Sequence, residues 1–321
     1  MLTVLFSTRN GAAFLPAVLT SYTALEPPTG GWKLVIADNG SVDRSRAIID
    51  SFRDRLPLHC FPEPQPGKNA ALNAGLTYVD GDLVVLTDDD VFPRSDWLSQ
   101  LRAAADAQQN YAVFGGKILP RWEVPPPQWL VTVVLAGPTF TLTEASLTEG
   151  PTGAHNVFGP NMAVRTAIFE GGARFSTSIG PRGRNYAMGS ETEFVRRLLR
   201  QGYQAWHVRD AVVEHFIRKT QMSQRWILGR AVRFGRGQYR LSLAGQPPET
   251  RSWRGVPRYL YRQLAEQAAL VLKAACTFDD EALFRARWNF NYTRGQMIEA
   301  GLIHRDAASE AAILPSRGPL P

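Results

Sequence analysis

Residues 83–98 read LVVLTDDDVFPRSDWL: an apolar run, three consecutive aspartates, then a pattern that turns helical after Asp96. A short, wholly apolar run bounded by polar residues fits a strand buried on both faces. The same rhythm recurs on either side of it. TVLFST (3–8), KLVIAD (33–38) and LHCF (58–61) lie upstream and YAVFGGKIL (111–119) downstream, with helix-compatible sequence between most of them. This alternation predicts an α/β protein with a doubly wound, mostly parallel sheet. In such sheets ligands bind beyond the carboxyl ends of the strands. Those ends are polar here: STRN (7–10), ADNGS (37–41) and TDDD (87–90).

The chain has 321 residues, 44% hydrophobic and 20% charged, which is enough to bury a sizeable core and excludes a disordered, collagenous or coiled-coil protein. Two cysteines, Cys60 and Cys276, are too few for a disulfide framework or a zinc site, so a reducing compartment is expected. The start, MLTVLFSTRN, reads as a first strand rather than a signal peptide, and no apolar run approaches the ~20 residues of a spanning helix. A cytoplasmic location follows as the expectation. The net charge of +7 asks for an anionic partner, whether nucleic acid, an anionic membrane surface or a phosphorylated substrate. No recognition motif supports nucleic acid, and acidic strand ends do not suit a phosphate-backbone groove.

Residues 121–183 loosen into Pro-, Gly- and aromatic-rich sequence, which suits a substrate-shaping region. A helix follows, with Ser190 as its expected N-cap, Glu193 completing a capping box, Gly202 as its stop and Glu191 in its first turn. Beyond His215 the chain turns helical and basic, with Trp226, Trp253, Tyr259 and Tyr261 among arginines. That segment suits either the surface of an anionic membrane, in peripheral contact at the inner face, or solvated helices packed on the rest of the chain. The expected organisation is a nucleotide-binding half over 1–118, an acceptor half carrying the base over 119–217, a basic helical region over 218–312 and a disordered tail over 313–321.

Three elements carry chemistry. In an extended backbone Asp88 and Asp90 share a side and Asp89 faces the other. Adjacent carboxylates repel unless a cation or protons relieve them, and oxygen donors suit Mg²⁺ or Mn²⁺ completed by substrate phosphates. An acidic turn with Asp96 capping the next helix is the other reading. In KLVIADNGSVDRSRAI, Asp38 ends a strand, Ser41 is placed to cap the next helix, and a carboxylate there suits a base imide or ribose hydroxyl; an Asn-Gly hairpin competes. PGKNAALNAGL puts Lys68 at a helix start, where an ammonium and backbone donors can meet an anion, or where an ordinary turn simply begins a helix. It lacks the spacing of a Walker A loop.

Taken in order, STRN, DNGSVD, PGKNAALNAGL, TDDDVFPRSDWL, GPNMAVR, GSETEFVRRLLRQGY and AVVEHF resemble the family 2 glycosyltransferases, inverting enzymes of GT-A fold. The resemblance runs from about residue 2 to about residue 237. It implies a nucleoside diphosphate sugar donor, a UDP-sugar favoured, a hydroxyl acceptor on a sugar or lipid-linked glycan, and Mg²⁺ or Mn²⁺. It places Thr8, Arg9, Asp38, Lys68, Asp88 and Asp89 around the nucleotide, Asp90 and Asp88 at the metal with His215 approaching it, and Asn161 in the acceptor half. Glu191 matches the catalytic base, usually Asp, with Glu193 as its stand-in on the acceptor side. Gln221 stands one residue too far from Arg225 for the Gln-x-x-Arg-Trp motif of the processive synthases, so non-processive transfer is expected. A sugar nucleotidyltransferase and an inactive nucleotide-sugar-binding relative are the competing classes. The first should open on a Gly-rich basic loop, which STRNGAAFLP does not supply.

Overall fold

The computed structural model describes residues 1–183, 186–243 and 251–313. The tail expected to be disordered lies outside them from residue 314 onward. The first apolar runs form strands β1 (Leu2–Thr8), β2 (Trp32–Asp38), β3 (Leu58–Pro62) and β4 (Leu83–Leu86), separated by helices α1 (Leu15–Tyr22), α2 (Ser45–Asp50) and α3 (Lys68–Gly75). Then come β5 (Val91–Pro93), α4 (Trp97–Ala107), β6 (Val113–Trp122) and the short helices α5 (Gln128–Val133) and α6 (Ala136–Phe140). They are followed by β7 (Gly150–Thr152), β8 (Met162–Arg165), α7 (Thr166–Glu170), α8 (Ser190–Arg200) and β9 (Ala205–Ile217).

The sheet runs β3-β2-β1-β4-β8-β6-β9-β5, with β7 beside β9. The first four strands are parallel, and β8 enters antiparallel between β4 and β6. This is the α/β architecture with a mostly parallel sheet that the sequence predicts. Register sets the chemistry: Thr8 lies opposite Asp38 and Leu5 opposite Leu86, so the polar tails of β1, β2 and β4 leave the sheet at one edge. The strands are apolar because both faces are covered, and Leu2, Val4, Leu5, Phe6, Val35 and Val84 are wholly buried.

Helix α8 is seated by its apolar stripe. Phe194, Val195 and Leu198 are buried, and the Phe194 ring packs against Phe169 and Phe175 with centroids 5.6 and 4.4 Å away. One turn before Phe194, Glu191 is thereby held on the same side of the helix. Gly202 ends α8 in a left-handed conformation (φ 91°), with the Tyr203 N–H donating to the Leu198 carbonyl, as expected of a glycine stop. The capping box does not form. The Ser190 hydroxyl donates to Glu191, and Glu193 pairs with Arg197 instead. Nor does Ser41 cap α2: Asp43 accepts from the Ser45 N–H, while Ser41 accepts from the Asn10 N–H and stitches two site loops together.

The chain divides into two compact units. The second comprises residues 128–133, 185–189 and 223–321, and its main helices are α9 (Gln224–Leu243), α10 (Arg258–Cys276) and α11 (Asp280–Ile313), with a small hairpin of β10 (Ser252–Trp253) and β11 (Val256–Pro257). Helices α9 and α11 approach closely because Gly235 and Gly295 sit where a side chain would run into the opposite backbone. The basic segment is not a uniformly solvated face. Arg236 and Arg240 turn inward onto Glu299, which is fully buried, because a buried carboxylate must be paired. No helix among the described residues is long and apolar enough to cross a membrane.

Candidate active site

The three aspartates after β4 do not continue as a strand. The backbone turns at Asp89 and Asp90, so the carboxylates reach different partners instead of alternating in an extended row. Asp88 meets the Lys68 ammonium at 2.6 Å. Asp89 accepts from the Thr8 hydroxyl at 2.5 Å. Asp90 faces His215 Nε2 at 3.5 Å and Arg218 at 3.2 Å. Each partner comes from a different strand end or helix start, so the sheet register gathers residues far apart in sequence.

Burial and crowding set the protonation states. For Asp89, desolvation and repulsion from Asp90 outweigh the Thr8 hydrogen bond and push its carboxyl up to about 7. Burial would raise Asp90 too, but its contact with His215 and the Arg218 and Lys68 cations hold it below the usual carboxylate range. His215 is raised in turn: burial disfavours its charge, and Asp90 more than compensates. Its Nδ1 lies 2.7 Å from the Phe140 carbonyl, which can only accept, so Nδ1 carries the proton and Nε2 is the nitrogen turned to Asp90.

That arrangement fits a divalent cation. A ligating histidine typically donates its other ring N–H to a carbonyl, as His215 does, and carboxylate oxygens at Asp90 are hard donors. Asp88, the other metal candidate, is held by Lys68. Among the described residues no group of three or more His, Cys, Asp or Glu is gathered for a metal ion. A Mg²⁺ or Mn²⁺ would therefore take few protein ligands and complete its shell with substrate phosphates and water, which is how Mg²⁺ is commonly held.

Lys68 is the link across the site. Its ammonium bonds Glu191 Oε1 at 3.0 Å as well as Asp88, and the Ser190 hydroxyl donates to Glu191 Oε2 at 2.8 Å. Burial disfavours the charged forms of Lys68 and Glu191; for Lys68 the two neighbouring carboxylates win and keep it cationic. For Glu191 burial is opposed by Lys68 and Ser190, and its carboxyl is held down to about 2. A carboxylate ionised at neutral pH thus stands among the acids that end β4.

Asp38 is nearly buried at the end of β2, where its carboxylate accepts the Ser41 N–H. Arg9 is exposed on the adjoining loop. Two expected acceptor-side residues lie elsewhere. Glu193 is spent on Arg197, along its own helix. Asn161 is completely buried and saturated: it accepts from Trp97 Nε1 and donates to the Lys117 and Ala211 carbonyls, so it braces the floor of the site and cannot touch an acceptor. Replacing Asn161 with Leu orphans those three buried groups, and urea unfolding should show a loss of about 3 kcal/mol. Arg218 and Ser190 are site residues that the sequence does not single out for chemistry.

Residues 3–171 match the family model "Glycosyl transferase family 2". The chain is 29% identical over 120 residues to the succinoglycan biosynthesis protein ExoM of Rhizobium meliloti (strain 1021), covering 34% of this chain and 38% of that protein. It is 27% identical over 100 residues to the glycosyltransferase AglE of Haloferax volcanii, covering 30% of this chain and 33% of that protein. The chain thus matches only about a third of the length of these relatives. Among solved structures, the mannosyltransferase PcManGT of Pyrobaculum calidifontis, in complex with GDP-Man and Mn²⁺, superposes with a TM-score of 0.56 at 16% identity, covering 98% of this chain and 81% of that one. S. aureus TarS 1-349 in complex with UDP-GlcNAc gives 0.52 at 16% identity, covering 95% and 92%. At such identity the structural likeness speaks for the GT-A fold alone. Since the family model spans more than half of the chain, the protein belongs to glycosyl transferase family 2.

Proposed function

We propose that the chain transfers a sugar from a nucleoside diphosphate donor, a UDP-sugar favoured, to a hydroxyl of a glycan or lipid-linked acceptor, with inversion at the anomeric carbon and without processivity. The observation that carries this reading is the Glu191 carboxylate, ionised and fixed by Lys68 and Ser190. One base and one displacement invert the reacting carbon. Glu191 takes the proton of the acceptor hydroxyl as its oxygen attacks the face opposite the diphosphate. Thr8, Arg9, Asp38 and Asp89 hold the nucleoside, and Lys68 and Arg218 supply positive charge for the diphosphate. Asp90 and His215, with Asp88 joining them once released by Lys68, would hold Mg²⁺ or Mn²⁺, which would supply Lewis-acid stabilisation to the departing diphosphate.

The GDP-Man, UDP-GlcNAc and Mn²⁺ in the structural neighbours support a donor of this class and a divalent metal. The name of the Rhizobium relative supports a setting in polysaccharide assembly. We place the enzyme in the cytoplasm, in peripheral contact with the membrane. In the second unit the exposed Leu270, Leu272 and Phe278, with Arg258, Arg262 and Lys273 nearby in sequence, support that contact. Calorimetric titration with UDP, GDP and dTDP, each with and without Mn²⁺, tests the site. One nucleotide should bind in a metal-dependent way, and Asp90→Ala should weaken it at least about tenfold. If none binds under any condition, the assignment fails.

A further inference from the structure

We propose that Gly159 is a positioning residue for the reaction: its missing side chain is the space in which the Glu191 side chain lies. The inference rests on the reading of Glu191 as the base. Gly159 belongs to the tight turn 159–161 that leads into β8, beside the acid-bearing end of β4. A β-carbon built on it would overlap Glu191 Oε1 and come within 2.9 Å of both Cδ and Cγ, closer than side chains tolerate. The Glu191 side chain therefore lies against residue 159.

The backbone conformation of Gly159 is not what calls for glycine, since its φ is not among the positive ones. The demand is for space. Nor can the turn withdraw to make room. The Asn161 N–H donates to the Phe158 carbonyl at 3.0 Å, the Thr87 hydroxyl donates to the Pro160 carbonyl at 2.9 Å, and the Asn161 side chain is locked on all its polar atoms. The glutamate is the part that gives way. Pressed outward, it loses its bond to Lys68, to Ser190 or to both. The resemblance implies Asp at this position in most members. Glutamate carries one more methylene, and its Cγ, Cδ and Oε1 all occupy the space that a side chain at residue 159 would take.

Two double-mutant cycles test this. The first reads hydrolysis of UDP-, GDP- and dTDP-sugars with Mn²⁺, water standing in for the acceptor, together with calorimetric binding of the nucleotide. Gly159→Ala should lower kcat by about 100-fold while the donor KM and nucleotide affinity stay within about threefold. In a Glu191→Asp background the same change should cost far less, because the shorter side chain can swing clear. The second cycle reads thermal midpoints and needs no activity. Gly159→Ala should destabilise the wild type and leave Glu191→Ala unchanged, since no carboxylate then opposes the methyl. Equal destabilisation in both backgrounds, or full turnover in Gly159→Ala where Glu191→Gln has lost it, overturns the proposal. Full turnover in Glu191→Gln removes the base assignment itself.

Discussion

Glu191→Gln should lower turnover by roughly 10³-fold and leave nucleotide affinity within about threefold, because a positioned general base contributes about 10²- to 10⁴-fold. The substitution is nearly isosteric and keeps hydrogen-bonding capacity toward Ser190. Lys68 keeps Asp88 as its anion, at 2.6 Å, so the change leaves no isolated buried charge. What disappears, besides the charge that faces Lys68, is acceptance of a proton, which a neutral amide cannot perform. An acid that served only the dipole of α8 would contribute a few tenths of a kcal/mol to about 1 kcal/mol of stability and nothing to turnover. Nucleoside diphosphate release under saturating donor, paired with calorimetry on the same preparation, separates the two. Unchanged turnover would mean that the base lies elsewhere. Glu193 would not be the heir, since Arg197 holds it on its own helix.

The strand ends were legible because parallel strands buried on both faces leave continuous apolar runs, and the polar residue that ends each run is conspicuous. The alternation of α and β was sufficient to place Thr8, Asp38 and Asp88 at one edge of the sheet. Contacts across long sequence separations were not legible. Lys68 and Glu191 are separated by 123 positions, and no periodicity connects a helix start to the first turn of another helix. Taken by itself, PGKNAALNAGL reads equally well as an ordinary turn and helix start. Asn161 was misplaced for a related reason. A polar residue in loop-like sequence looks available to a ligand until the fold brings Trp97, Lys117 and Ala211 around it. Arg218 was one cation in a basic run, and only the pairing of β5 with β9 brings that end of the chain to Asp90.

Lys68→Met should destabilise the first unit by roughly 3–5 kcal/mol near neutral pH, the cost typical of removing one partner from a buried ion pair. Asp88 and Glu191 then remain in a desolvated site without their shared cation. A carboxyl cannot stay at about 2 under those conditions. Burial, the largest influence on Glu191, now acts unopposed by an ammonium, so its pKa climbs and the acid limb of the turnover profile moves up toward neutrality. The sign of the stability effect follows by linkage. In the wild type the folded value of Glu191 lies below the unfolded value of about 4.3, so its contribution is complete above that pH and is lost as pH falls toward 2. The gap between wild type and Lys68→Met should therefore be widest near pH 7 and shrink below about pH 4, as urea titrations at both values would register. Adding Glu191→Gln to Lys68→Met should recover part of the loss, because an amide tolerates the desolvated site better than an unpaired carboxylate. Equal stability of wild type and Lys68→Met at pH 7 would mean that the ammonium does not bind the two carboxylates together, and the geometry assigned to the base would have to be abandoned.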